Sequence, residues 1–224
     1  MASRPLAADY RSFRPSKLNT DEFRHLKLLR FWLVFMLFFL YVERLSPVET
    51  YYPVSCGLDA LIPFCEFFLI PYLFWFVYLI GMHIYTALFD IEAFRRLMRF
   101  IIISYSITMV IYLLFPTCQQ LRPAAFERDN VFTRFLYYFY QFDTNTNVCP
   151  SLHVVGSMAV WCTSRHMKQF RTAGWRVAFA LAAALICAST VFLKQHSVVD
   201  VLAAVPVCLI AYHISFRRQL PNRE

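Results

Sequence analysis

Charge is scarce in this 224-residue chain: 16% of it is Asp, Glu, Lys or Arg, against 59% hydrophobic residues. With a mean hydropathy of +0.48, that balance excludes an ordinary water-solvated globule. Glycine is scarcer still. Four glycines stand against 24 phenylalanines, a ratio that suits lipid-facing helices better than a compact soluble core. No Cys-x-x-Cys pair and no His-Glu-x-x-His occurs, which argues against a structural or catalytic zinc. No metal and no other cofactor is expected. Of seven cysteines, Cys65, Cys162, Cys187 and Cys208 lie in apolar runs and read as small hydrophobes. Cys56, Cys118 and Cys149 fall in loops on one side, and spacing alone assigns no bridge among them. The net charge of +8 comes without a compact basic domain, so nucleic acid is a poor partner and anionic lipid headgroups a good one.

What is present is a series of long apolar runs, each about the 20 residues a bilayer span requires. They predict an all-α, polytopic membrane protein, a bundle of six transmembrane helices. The expected spans are 28–43, 64–87, 99–115, 150–164, 175–193 and 196–216, with Pro71 kinking the second. The domain reading follows: a basic N-terminal segment 1–27, a six-helix membrane domain 28–216 and a basic tail 217–224. The N-terminal segment is too long and polar to be a cleavable signal. Of the 22 Lys and Arg residues, 17 fall in the first 30 residues, in two turns (Arg95, Arg96 and Arg99; Arg165, Lys168, Arg171 and Arg176) or in the tail. Basic residues collect in short cytoplasmic loops, so both termini are expected to be cytoplasmic. The other face keeps Arg44, Arg122, Arg128, Arg134 and Lys194.

That basic-poor face holds the chemistry. The loop after the third span carries Arg122, the fourth span opens Cys149-Pro150-Ser151-Leu152-His153, and the fifth-to-sixth junction supplies Lys194, His196 and Asp200. Six alternating spans bring these ends to one membrane level. Pro150 suits a first helical turn, whose free amides beside Ser151 attract an anion such as phosphate. His196 and Asp200, four apart, share a helix face. The carboxylate takes one imidazole N–H and leaves the other nitrogen free to attack. Arg122 offers a planar fork for phosphate oxygens and Lys194 a mobile charge, while His153 is placed to protonate a leaving oxygen. The bland alternatives are a polar anchor for His153, a structural His-Asp pair and a headgroup anchor for Arg122. The convergence of all of them at helix ends favours catalysis. His25, His83, His166 and His213 receive no role. Residues 131–142, with seven aromatics, predict a short interfacial helix serving as an anchor or as a substrate gate. Glu66 reads as an interfacial acid rather than as part of the same pocket.

Arg122-Pro123, Pro150-Ser151-Leu152-His153 and Ser189 through His196 to Asp200 resemble the three signature motifs of the type 2 phosphatidic acid phosphatase superfamily. The second motif, Pro-Ser-x-His, is matched in full. The first has Phe115 in place of its Lys, and the third has Thr190 in place of its Arg. The resemblance covers roughly residues 28–216. It implies that His196 is a nucleophile forming a phosphohistidine, Asp200 its orienting partner and His153 the general acid. It also implies that Arg122 and Ser151 hold phosphoryl oxygens; Lys194, by its proximity to His196 alone, is a candidate to replace a lost cation. The third motif, with Gln195 before His196, is similar too to sphingomyelin and inositol-phosphoceramide synthases.

The expected activity is hydrolysis of a lipid phosphate or polyprenyl diphosphate on the non-cytoplasmic face of an integral membrane protein, with the plasma membrane as the location. The alternatives are a lipid phosphotransferase moving a phospho-headgroup to a lipid alcohol, and a non-catalytic lipid-phosphate-binding or transport protein.

Overall fold

The structure, a computed structural model, describes residues 5–46 and 48–216. Eight α-helices follow in order: α1 (Arg30–Leu40), α2 (Gly57–Leu61), α3 (Leu69–Phe89), α4 (Ile91–Leu114), α5 (Val131–Phe142), α6 (Leu152–His166), α7 (Ala173–Phe192) and α8 (Val198–Phe216). Two short strands, β1 (Tyr52–Pro53) and β2 (Thr117–Cys118), pair in parallel at one end of the bundle. A 3₁₀ segment (Arg24–Leu29) leads into α1 and a π-type turn (Tyr41–Leu45) extends it.

Five stretches are long and apolar enough to cross a membrane: Arg24–Leu45, Glu66–Phe89, Ile91–Leu114, Ala173–Phe192 and Val198–Phe216. The expected span at 150–164 is the exception. Its helix α6 has 15 residues, about 22 Å at 1.5 Å per residue, and nine of the 15 are buried. It lies inside the bundle, packed on α3, α4, α7 and α8. Gly156 makes that packing close: a Cβ there would stand 2.9 Å from both Trp75 Nε1 and Tyr105 Oη.

Three sequence expectations change. The third span begins at Ile91, not at residue 99, because Asp90 leaves the helical region and caps the new helix, accepting from the Ala93 N–H at 3.0 Å. Arg95, Arg96 and Arg99 therefore sit on the first turns of α4 rather than in a turn. Arg165 and Arg176 are likewise helical. Pro71 is the third residue of α3, directly after the 3₁₀ turn Glu66–Phe68, so its missing N–H falls in the first turn of the α-helix. The aromatic segment 131–142 is a helix with the expected bounds, started by Asn130, whose side chain accepts from Phe132 N and Thr133 N.

The segment before α1 packs on the bundle: Ala7 N donates to Leu88 O at 2.8 Å, Tyr10 Oη donates to Ala87 O, and Phe23 is fully buried. The tail 217–224, with Arg217, Arg218 and Arg223, lies outside the described residues, as does Arg4. All seven cysteines are free thiols.

Candidate active site

One end of the bundle gathers the starts of α6 and α8, the end of α7, α5 and the chain from 115 to 151. Helix α7 stops because residues 193–196 fold back over it. The N–H groups of Gln195 and His196 both donate to Thr190 O at 3.0 Å, and Leu193 N donates to Ser189 O. The reversal puts Lys194 at φ 54°, a left-handed conformation that glycine normally supplies at helix ends. Thr190, in the position of the resemblance's missing Arg, is thus fully buried and its carbonyl seats His196. Phe115, in the position of the missing Lys, is exposed just past α4.

His196 Nδ1–H donates to Asp200 Oδ2 at 3.1 Å, and the same oxygen accepts from Ser197 N at 2.9 Å. That bond fixes the tautomer and leaves Nε2 with its lone pair. His153, one residue into α6, faces it with ring centroids 6.1 Å apart. Its imidazole is braced by Tyr72 at 4.2 Å and Trp75 at 4.5 Å. The two helix starts are tied directly, Ser151 N donating to Asp200 O at 3.2 Å. Ser151 is fully buried, yet its hydroxyl does not cap α6. Among the described residues, Ser151 Oγ, His153 Nε2 and Asp200 Oδ1 are buried polar atoms with no hydrogen-bond partner. Such atoms are uncommon in folded proteins, and these three stand on the starts of α6 and α8, which the Ser151 N–Asp200 O bond ties together.

Arg122 comes to the same end with its fork engaged. Nε donates to Gln195 Oε1 at 2.9 Å, Nη1 to Tyr140 O at 2.8 Å and Nη2 to Asp143 O and again to Gln195 Oε1. Its guanidinium lies 4.4 Å from the Tyr140 ring centre. Burial pulls its pKa down, while Asp143 pulls it up. Asp143 Oδ2 accepts from Tyr72 Oη at 2.6 Å and from Gln195 Nε2 at 3.0 Å. Burial raises that carboxyl above the usual range against the pull of Tyr72, His196 and Arg122.

Lys194 points elsewhere. Its Nζ donates to the carbonyls of Asp59 (2.7 Å) and Ile62 (2.5 Å), at the end of α2, rather than toward the histidines. Burial lowers its pKa, with Asp59 opposing. Asp59 completes the clamp: its carboxylate accepts from Ser197 Oγ at 2.6 Å, Val198 N at 2.8 Å and Cys56 N at 2.7 Å. Glu66 corrects another reading. It is buried, bonded by Asn130 Nδ2 at 3.0 Å and 3.6 Å from Arg128, so it anchors the start of α5 instead of sitting at an interface. Glu43, at the end of the first span, accepts from Thr144 Oγ1, from Thr146 Oγ1 at 3.1 Å and from Asn147 Nδ2 at 2.8 Å, fixing the turn that enters α6.

The fold thus brings together His153, His196, Asp200, Ser151 and Arg122 and turns Lys194 aside. Sequence reasoning missed Asp59, Asp143, Gln195, Tyr72 and Glu43. The available signal for Asp59 was a lone acid in an apolar stretch, SCGLDALIPF; for Gln195 it was adjacency to His196. A family model described as the PAP2 superfamily matches residues 57–214, more than two thirds of the chain and every residue above except Glu43 and Cys56. No curated protein and no solved structure matches.

Proposed function

Because the chain belongs to the PAP2 superfamily, a family of lipid phosphatase and phosphotransferase type, we propose that it cleaves a lipid phosphate ester or a polyprenyl diphosphate through a phosphohistidine. The observation that carries this reading is the His196–Asp200 pair facing His153 across 6.1 Å, bordered by buried polar atoms without partners. In the first step His196 Nε2 forms a bond to phosphorus as the bond to the leaving oxygen breaks, and protonated His153 gives that oxygen its proton. In the second step His153, now neutral, takes a proton from water. The water oxygen bonds to phosphorus, the N–P bond breaks and phosphate leaves. The phosphoryl oxygens have donors in the first-turn amides of α6, the Ser151 hydroxyl and Arg122 once its fork leaves Gln195. Lys194 serves the loop that carries His196.

This reading puts the active site on the non-cytoplasmic face of a plasma-membrane protein, with α6 crossing inside the five long apolar helices as a sixth span and both termini inside. The distribution of basic residues and the position of every candidate side chain at one bundle end support this. A cysteine introduced beside Arg122 is expected to label from outside intact cells.

A specific observation favours the second reading, headgroup transfer to a lipid alcohol. Two motif cations are Phe115 and Thr190, Lys194 is bonded to α2, and Arg122 is shared with Gln195. So few free cations suit a singly charged phosphodiester better than a doubly charged monoester. The deciding experiment incubates purified protein, in detergent with EDTA, with a panel of lipid phosphates beside its His196→Ala variant. Phosphate release by the native protein alone supports hydrolysis. No release alone, but a new phospholipid on adding diacylglycerol or ceramide with a phosphodiester donor, supports transfer. Neither product under any condition overturns both.

A further inference from the structure

Below the site, between α3 and α7, runs an apolar groove of 570 Å³. The two helices are antiparallel, and their register is fixed by contacts at three levels. Phe68 stacks on Phe192 at 4.2 Å nearest the site, Tyr78 Oη donates to Phe179 O at 2.9 Å midway, and Tyr85 lies 5.3 Å from Phe170, in the turn before α7, at the far end. The groove extends from Phe74 to Tyr85 on α3, about 16 Å at 1.5 Å per residue. Its upper limit is within one turn of Tyr72 and Trp75, the residues that brace His153. On the other wall α7 continues upward into the Thr190–His196 turn. The same two helices therefore present the nucleophile, the support of the general acid and the groove.

Its walls are aromatic and its floor is made small. Gly81, Ala178 and Ala182 line it between Tyr78, Tyr85 and Phe179. Gly81 is the informative residue. A glycine inside a helix costs about 1 kcal/mol relative to alanine, and close packing explains such a cost at Gly156. At Gly81 it does not, because a Cβ built there meets no atom within 4 Å. The space beside Gly81 is therefore open and apolar, flanked by two helices that are both long enough to span a membrane.

We propose that this groove holds the hydrocarbon chain of the substrate, with the phosphate above it between His153 and His196. This deepens the functional reading: the substrate class is a long-chain lipid phosphate lying along the membrane normal, selected for chain length by the groove.

The test uses the full-length protein in detergent and two readouts. In kinetics, Gly81→Leu and Ala182→Leu, which fill the groove, are compared with native protein on phosphatidic acids of long and of six-carbon chains. A fall of tenfold or more in kcat/KM for the long chain, with the short chain changed less than twofold, is expected. Equal losses on both, or no loss on either, overturn the proposal. In binding, phosphatidic acid bearing a diazirine at the end of one acyl chain is photolysed with the His196→Ala protein and the cross-linked peptides are mapped. Cross-links on Gly81 to Tyr85 or Trp175 to Ala182, displaced by excess phosphatidic acid and not by excess diacylglycerol, are expected. Cross-links displaced equally by both lipids show a chain held without its phosphate, and cross-links outside the groove show no chain there. Either result overturns the proposal. The binding readout needs no turnover, so an inactive protein that cross-links as expected would sink the reaction and leave the groove standing.

Discussion

The two ends of α6 each carry a histidine and treat it differently. At the far end from the site, His166 Nδ1–H donates to Cys162 O at 2.9 Å and its ring lies on Phe216 at 4.5 Å. A 370 Å³ cavity beside it is lined by Asp90, Glu92, Arg96 and Lys168. Three of those charges are spent locally: Asp90 caps α4, and Glu92 pairs with Arg96 at 3.0 Å. At the site end, His153 Nε2, Asp200 Oδ1 and Ser151 Oγ are buried with hydrogen-bonding capacity left over. The contrast teaches that a histidine at a helix end is informative only with its partners counted. A satisfied one holds structure, whereas an unsatisfied buried one costs stability that some other role must justify.

The largest expected break in this contrast is Asp200→Asn. It removes the carboxylate that fixes the His196 tautomer, and kcat for phosphate release or transfer should fall on the order of 10²–10⁴-fold with KM nearly unchanged. Steady-state kinetics decides it, and a KM effect alone would mean that Asp200 only shapes the pocket.

Next is Asp59→Asn. Losing a buried, triply bonded carboxylate should cost about 1–3 kcal/mol of stability. Burial alone would raise this carboxyl, but the Ser197 hydroxyl and the amides of Val198 and Cys56 outweigh it and hold the pKa below the ordinary 3.8. A depressed folded-state pKa contributes stability above the unfolded value and loses it as pH falls through the folded one. The difference in unfolding temperature between native and variant should therefore be full at pH 7 and close on acidification below 3.8. A difference that grows in acid would reverse the assignment.

Gly156→Ala should destabilise by about 1–3 kcal/mol, because the new methyl meets Trp75 and Tyr105 at 2.9 Å. It should also shift the alkaline limb of the pH–rate profile, where the general acid loses its proton, since Trp75 braces His153. The smallest effect belongs to the satisfied end. His166→Phe should keep the ring stacking, worth about 0.5–1.5 kcal/mol, and leave turnover within twofold. A large loss of turnover would erase the distinction between the two ends.

Local chemistry was legible in the sequence where it is spaced along one element. The i, i+4 relation of His196 and Asp200, the Pro-Ser-x-His entry to α6 and the aromatic run of α5 all carry their geometry in their spacing. What stayed hidden is held across the chain. Asp59 reaches Ser197 over 138 positions and Glu43 reaches Asn147 over 104. Such pairs leave no periodic trace, because the intervening chain adopts its path only when the bundle forms. Lys194 was misread for the same reason: proximity to His196 in sequence said nothing of the α2 carbonyls that take its amine. The third span was placed too late because Arg95, Arg96 and Arg99 read as a loop. A single cap at Asp90 had already restarted the helix.

The Glu43 clamp has a consequence for biogenesis. The ribosome delivers Glu43 early, and the 144–147 turn that it grips about a hundred residues later. The entrance to α6 cannot take its final shape until both are present at the same bundle end, so the frame around His153 is complete only after about two thirds of the chain has been made. A fragment beginning after Glu43 would retain both facing histidines and lose the frame around the first of them. Supplying residues 5–46 as a separate chain is the natural way to restore it.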